Sequence, residues 1–130
     1  MLVIDASVAV TAGLASAGFE QLAEEQLVAP PLLWSEARSA LHELLRRREI
    51  TREDAQAARR RVEQAPVEPI SRENLGDEAW RLADDLGWAK TYDAEYVALA
   101  GLLGCRLVTL DARLRRRTER LGFVVSPAEV

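Results

Sequence analysis

The stretch MLVIDASVAV, residues 1–10, contains the pattern that decides the fold. Its apolar run ends at Asp5, and the small and apolar residues that follow begin a helix. RLVTLDARLRRR, residues 106–117, repeats this pattern with Asp111 in the corresponding place. Two further short apolar runs alternate with helical segments, at residues 27–30 and 123–126. Such alternation predicts an α/β fold in which helices cover both faces of a short central parallel sheet.

The intervening segments are predicted to be helices joined by short loops. Thr51, Ser71 and Thr91 stand where N-caps are expected. The helices are predicted at residues 18–26, 31–49, 51–65, 72–87, 92–103 and 111–122. Residues 66–71, which include two prolines, are predicted to be a loop. No linker or internal repeat divides the chain, so we expect one domain spanning residues 1–130.

Composition and charge narrow the class of protein. A chain of 130 residues that is 48% hydrophobic and 29% charged suits one soluble globular domain. The formal net charge of -4 argues against nucleic-acid binding through overall positive potential, but it leaves room for local basic clusters around an acidic, metal-binding centre. The single cysteine, the absence of a basic signal-peptide region and the lack of a long apolar window favour a cytoplasmic protein without membrane association.

Asp5 and Asp111 each follow a predicted strand and precede a predicted helix. Taken singly, each is explained by N-capping, in which a side-chain oxygen accepts a backbone N–H of the first turn. Taken together, they mark the carboxyl edge of a parallel sheet, where such folds build their sites. If the two strands are neighbours, both carboxylates face one crevice. They then repel each other unless a cation lies between them.

Glu36 and Asp93 lie in the first turns of two other predicted helices. The helix dipole favours an acid at either place, which is an explanation without any function. Asp93, however, shares its helix face with three apolar or amphipathic residues, Tyr96, Val97 and Ala100. An ionised carboxylate on a buried face is unfavourable unless it is paired or bound to a metal. Both interpretations remain open at this point.

Four pieces of the sequence resemble the PIN-domain family, and above all the VapC-type toxins of bacterial and archaeal toxin–antitoxin pairs. They are IDASV (4–8), PPLLWSEARSAL (30–41), TYDAEYVALA (91–100) and LVTLDARL (107–114), and together they span almost the whole chain. The resemblance implies a PIN-like three-layer fold and a metal-dependent ribonuclease. Its acidic pocket would consist of Asp5, Glu36, Asp93 and Asp111. Mg²⁺ or Mn²⁺ would bind to Asp5, Asp93 and Asp111.

The same resemblance assigns substrate-binding residues around the acids. Ser7 matches a small hydroxyl found in the family, and Thr109 should point to the same side of its strand as Asp111. Arg113 and Arg116 are predicted phosphate contacts because their cluster begins directly after Asp111. Many relatives carry a further acid or amide after that aspartate, whereas residues 112–117 read ARLRRR. This departure weighs against a fully occupied second metal site.

Four residues with aromatic or acidic side chains are left outside the predicted site. Trp80 and Trp88 are assigned, with Trp34, to packing or an interface. Glu95 lies roughly 200° around the helix from Asp93 and is therefore predicted to face away from it.

The resemblance also implies partners. These are a structured RNA substrate, a second copy of the chain in a homodimer, and a VapB-like antitoxin whose C-terminal segment would lie in an apolar groove formed by residues 17–65. Two alternatives remain. One is a PIN-type RNA-processing nuclease without an antitoxin. The other is a non-catalytic, metal- or phosphate-binding α/β regulatory domain, which is weaker because MLVID (1–5) lacks the adjacent acids of a receiver module.

Overall fold

A five-stranded parallel sheet forms the centre of the computed structural model, which describes all residues 1–130. Its strands are β1 (Leu2–Ile4), β2 (Leu27–Ala29), β3 (Val67–Pro69), β4 (Arg106–Val108) and β5 (Val124–Val125). The strand order is β3-β2-β1-β4-β5, so β1 lies in the middle. In the register, Val3 pairs with Val28 on one side and with Leu107 on the other. The predicted neighbours, β1 and β4, are therefore adjacent.

Six α-helices cover the sheet: α1 (Ala6–Leu14), α2 (Leu32–Arg46), α3 (Arg52–Glu63), α4 (Leu75–Leu86), α5 (Tyr92–Leu103) and α6 (Ala112–Arg117). Helices α1, α2 and α3 pack against one another, whereas α4 packs on α5. The chain crosses the sheet in opposite directions through these two groups, from β1 to β2 and from β3 to β4. Right-handed crossovers then place them on opposite faces. The predicted α/β three-layer fold is confirmed.

Helix α5 is the most deeply buried helix of the chain. Five consecutive residues, 96–100, are each no more than 1% exposed. Burying an apolar side chain of valine or leucine size stabilises a fold by about 1.5–3 kcal/mol, so this helix anchors the core. Its amino end lies at Tyr92, directly before Asp93. The acid on its first turn is thereby held on a rigid element.

Two predicted elements differ in the structure. Residues 18–26 do not form an amphipathic α-helix; a single 3₁₀ turn, Glu20–Leu22, is all that forms, and Gly18 has a left-handed φ of 57° before it. Residues 66–71, predicted to be a loop, contain strand β3. β3 lies at the edge of the sheet, where only one side needs hydrogen-bond donors, so Pro69 is tolerated.

The predicted helix caps are met unevenly. Thr51 caps α3, because its Oγ1 accepts a hydrogen bond of 3.0 Å from the backbone N–H of Asp54. Ser71 does not cap α4, since that helix begins only at Leu75. Thr91 precedes α5 but its side chain accepts no capping hydrogen bond. Helix 111–122 is also shorter than predicted.

Helix α6 ends at Arg117 because Thr118 interrupts it. The Oγ1 of Thr118 donates a hydrogen bond of 2.7 Å to the carbonyl of Leu114, and a separate 3₁₀ turn, Glu119–Leu121, follows. Side-chain bonds of this kind compete with helix continuation. No helix of the chain is long and apolar enough to span a bilayer.

Candidate active site

The Asp5 carboxylate lies at the carboxyl end of β1 and is held by three donors. Its Oδ1 accepts hydrogen bonds from the backbone N–H of Val8 at 3.2 Å and from Oγ of Ser7 at 2.5 Å. Its Oδ2 accepts one from Oγ1 of Thr109. Burial raises the pKa of Asp5, and the hydrogen bonds from Ser7 and Thr109 oppose that shift. The side chain is 6% exposed and fixed in one orientation.

The same two hydroxyls connect Asp5 to the end of β4. The Oγ1 of Thr109 accepts a hydrogen bond of 3.0 Å from the backbone N–H of Asp111. The Oγ of Ser7 accepts one of 3.0 Å from the backbone N–H of Leu110. Asp111 in turn caps α6, since its Oδ1 accepts from the backbone N–H groups of residues 113 and 114. Asp5 and Asp111 therefore each cap a helix and also lie at the carboxyl edge of the sheet.

Asp93 is the acid with the fewest partners. Burial raises its pKa, and the negative charges of Asp111 and Asp5 raise it further, while the positive charge of Arg117 opposes them. No hydrogen bond stabilises its ionised form. Asp5 and Asp111 lie close enough to Asp93 for their charges to act on it, so the three predicted metal ligands share one neighbourhood.

Glu36 joins this neighbourhood from α2. Its Oε1 accepts a hydrogen bond of 2.7 Å from the Tyr96 hydroxyl. Burial raises the pKa of Glu36, the bond from Tyr96 lowers it, and the charges of Asp93, Asp5 and Glu95 raise it. Neither Glu95 nor Asp5 lines the cleft that Glu36, Asp93 and Asp111 share, yet the charges of both reach Glu36.

A cleft of about 570 Å³ lies over this edge of the sheet. Glu36, Asp93 and Asp111 form its acidic part, and three cations share its lining: Lys90, Arg113 and Arg117. Arg116, the second predicted phosphate contact, is not part of the lining. The guanidinium carbon of Arg117 lies 4.6 Å from the centroid of the Trp88 ring, which also lines the cleft.

Sequence reasoning missed Arg117, Lys90 and Trp88 as residues of the cleft. The sequence predicts packing or an interface for Trp88, and the residue does pack, being only 9% exposed. Its position beside an acidic crevice depends on how the end of α4 meets α6. The spacing of four residues between Arg113 and Arg117 was the one available signal, since it places both on one helix face.

The oxygen donors of the cleft fit a hard divalent cation. Hydrogen bonding leaves Asp93 with both carboxylate oxygens free, and Glu36 and Asp111 with one each. No three Asp, Glu, His or Cys side chains converge into a ready-made ligand cage. Mg²⁺ in proteins is held by one or two carboxylates and keeps several waters, so a cage is not required. Burial, and after it the negative charge of neighbouring acids, raises the pKa of Glu36 and of Asp93, and a bound cation would relieve the part that is due to charge.

Comparison with known proteins decides the family. The sequence model of the PIN domain matches residues 2–120. The chain belongs to the PIN-domain family. This PIN domain is 37% identical over 115 residues to a VapC ribonuclease of Mycobacterium bovis and to ribonuclease VapC9 of Mycobacterium tuberculosis, with 88% of each chain covered. The predicted family and its VapC-type subgroup are confirmed.

Two solved structures share the fold of the PIN domain. PAE2754 from Pyrobaculum aerophilum superposes with a TM-score of 0.78 at 26% identity, covering 98% of this chain and 91% of that chain. A chain from a toxin–antitoxin complex from Klebsiella pneumoniae superposes with a TM-score of 0.69 at 17% identity, covering 98% of both chains. Both superpositions extend over the whole sheet and its helices.

Proposed function

We propose that this PIN domain is a metal-dependent endoribonuclease toxin of VapC type, which hydrolyses phosphodiester bonds in structured RNA. The observation that carries the proposal is that Glu36, Asp93 and Asp111 line one cleft at the edge of the sheet, with the buried Asp5 close enough for its charge to raise the pKa of Glu36 and of Asp93. The 37% identity to proteins named VapC ribonucleases supports the reaction. The cationic lining of the cleft supports a polyanionic substrate.

The four acids are proposed as the catalytic residues, and Mg²⁺ or Mn²⁺ is proposed to bind to Asp5, Asp93 and Asp111. A bound divalent cation supplies Lewis acidity and positive charge at the phosphodiester. Asp93 offers two carboxylate oxygens that no internal hydrogen bond occupies. Asp5 is nearly buried, so its main contribution is a negative charge held in a fixed place.

The predicted substrate-binding residues take different parts in this proposal. Ser7 and Thr109 act by orienting Asp5, because both of their hydroxyls donate to its carboxylate. Arg113 lines the cleft and is proposed to contact phosphate. Arg116 is exposed on the same short helix but away from the cleft, so its contact, if RNA is bound, would be with more distant phosphates.

Two protein partners belong to the proposal. A VapB-like antitoxin would hold the toxin inactive, and the likeness to VapC proteins supports it. Its C-terminal segment is proposed to bind between α2 and α3, where small cavities are lined by Trp34, Leu41 and Leu45 together with charged residues that include Arg38 and Arg59. A homodimer is also proposed, and Trp80, 67% exposed on α4, is the large apolar side chain available for that interface.

Two experiments test the proposal. The first measures RNA cleavage by the purified chain, and the second sequences the RNA ends produced when the chain is induced in cells. In cells we expect new RNA ends and growth arrest. With the purified chain we expect cleavage to stop in EDTA and to resume when Mg²⁺ or Mn²⁺ is added in excess. Cleavage that persists unchanged in EDTA would contradict the metal requirement. An adjacent open reading frame that encodes a DNA-binding antitoxin would favour the toxin over a processing nuclease.

A further inference from the structure

The cleft has a cationic wall that the acids do not neutralise by direct contact. Lys90, Arg113 and Arg117 line it, and none of them forms a salt bridge within 4.0 Å. A polyanionic backbone that approaches several carboxylates is repelled unless positive charge meets it nearby. The cationic wall therefore attracts the RNA backbone beside the carboxylates that repel it.

Arg117 is the most firmly supported of these cations. Its distance of 4.6 Å from the Trp88 ring centroid is within the range of a cation–π contact. The backbone of Trp88 is itself fixed, because Gly87 ends α4 in a left-handed conformation. The backbone N–H of Trp88 then donates a 2.8 Å hydrogen bond to the Ala83 carbonyl. The positive charge of Arg117 also lowers the pKa of Asp93, so the two side chains are close enough to interact.

Helix α6 directs two of its arginines to the cleft and the others elsewhere. Arg113 and Arg117 are four residues apart, about one helical turn, and both line the cleft. Arg115 instead donates a 2.9 Å hydrogen bond to the carbonyl of Thr109, and Arg116 is not in the lining. The Arg117 guanidinium donates no hydrogen bond within the chain, so its N–H groups are available to a ligand oxygen.

We propose that Arg117, supported by the Trp88 ring, is a preset phosphate-binding residue that receives the RNA backbone beside the acidic centre. The inference rests on the proposed ribonuclease function and deepens it by naming the residue that holds the substrate phosphate. A planar guanidinium matches the oxygens of a phosphate with two parallel hydrogen bonds, and the aromatic contact limits the freedom that is lost on binding. Arg113, one turn away, lies on the same wall.

The direct test measures binding without cleavage. Wild type, Arg117→Ala, Arg117→Lys and Arg120→Ala are titrated in EDTA against a fluorescein-labelled RNA hairpin, with fluorescence anisotropy as the readout. Arg120 is the matched control, since it is exposed on the next turn and does not line the cleft. Circular dichroism checks that every variant is folded.

We expect Arg117→Ala to weaken binding about tenfold, as loss of one charge-assisted contact does. The slope of log K against log salt should become less steep by about 1, because one phosphate contact is lost. Arg117→Lys should recover part of the affinity, since it keeps the charge and loses the planar donors. Wild-type affinity for Arg117→Ala, or an equal loss for Arg120→Ala, would overturn the inference.

Cleavage by the same proteins in Mg²⁺ separates the two proposals. If wild type does not cleave RNA, the proposed function fails whatever Arg117 does. If wild type cleaves and Arg117→Ala has the same KM and kcat, only the role of Arg117 fails. The expected result is a raised KM for Arg117→Ala, because the contact is made to bound substrate as well as during the reaction.

Discussion

Tyr96 donates a hydrogen bond of 2.7 Å to Oε1 of Glu36, and this bond joins the buried helix α5 to the first turns of α2. Tyr96 is 1% exposed, so its hydroxyl has no access to bulk water as an alternative partner. Burial and the neighbouring carboxylate raise the pKa of Tyr96, which keeps it a donor. Glu36 is thereby held at the edge of the acidic cleft by a residue of the core.

Tyr96→Phe tests this support. The variant loses one hydrogen bond to a charged group, so we expect the free energy of unfolding to fall by about 1.5–3 kcal/mol. RNA cleavage should also slow, because Glu36 is no longer held in place. Urea denaturation and a cleavage assay measure the two effects. Tyr92→Phe is the stability control, since Tyr92 is 55% exposed and should change stability little. An unchanged unfolding midpoint for Tyr96→Phe would show that the bond contributes nothing.

Thr109→Val tests the hydroxyl that connects Asp5 to Asp111. Valine has nearly the same shape, but it leaves the buried Asp5 carboxylate without one donor and the Asp111 N–H without its acceptor. We expect a loss of about 2 kcal/mol in stability, together with loss of cleavage. Thr109→Ser keeps the hydroxyl and should retain most of the activity. If Thr109→Val cleaved RNA as fast as Thr109→Ser, the hydroxyl would have no part in orienting Asp5.

Asp93→Asn should stabilise the metal-free protein at neutral pH. The fold raises the pKa of Asp93, so the native chain binds this proton more tightly than the unfolded chain does. Stability contributed by the protonated form is therefore lost as pH rises through the unfolded and then the folded pKa. The asparagine amide does not ionise, so Asp93→Asn avoids this loss of stability. The Tm of the variant in EDTA should therefore exceed that of wild type.

Mg²⁺ should have the opposite effect on the same pair of proteins. A cation that binds only the native state raises Tm in proportion to the logarithm of its concentration above its Kd. We expect this rise for wild type and a much smaller one for Asp93→Asn, measured by thermal scanning in EDTA and in Mg²⁺. Identical Mg²⁺ shifts in both proteins would exclude Asp93 as a ligand.

Gly13→Ala tests the packing between α1 and α3. A Cβ at Gly13 would lie 2.9 Å from Cγ2 of Val62 and 3.0 Å from the carbonyl oxygen of Ala58, so the helices must move apart. We expect destabilisation of about 1–3 kcal/mol. Gly76→Ala is the matched control within α4, because nothing lies within 4 Å of its Cβ position. It should stabilise by about 0.5–1 kcal/mol. Equal unfolding midpoints for the two variants would contradict the close approach of α1 and α3.

The sheet edge could be predicted from the sequence because parallel strands end on the same side. Asp5 and Asp111 each follow a strand directly, and adjacency of β1 and β4 brings both to one place. The apolar neighbours of Asp93 on α5 indicate a half-buried acid but leave its role open, and the family resemblance assigns it to the site. These inferences need only the positions of strand ends and helical periodicity, which are local in the sequence, whereas the adjacency of β1 and β4 is shown by the structure.

The parts that could not be predicted depend on contacts between distant elements. The bond from Tyr96 to Glu36 spans 60 positions, and the contact between Trp88 and Arg117 depends on how the end of α4 meets α6. Strand β3 has only three residues, of which one is proline and one is glutamate, so no apolar alternation indicated it. It exists because the edge of β2 offers hydrogen-bond partners.

Asp93 and its neighbouring acids form the proposed catalytic, metal-binding centre. The most direct measurement is the rate of Mg²⁺-dependent RNA cleavage by wild type, Asp93→Asn and Asp77→Asn. Asp77 is an exposed acid in the first turn of α4, as Asp93 is in the first turn of α5, and it lies outside the cleft. We predict loss of cleavage by at least about 100-fold for Asp93→Asn and a wild-type rate for Asp77→Asn. Cleavage at the wild-type rate by folded Asp93→Asn would contradict the account.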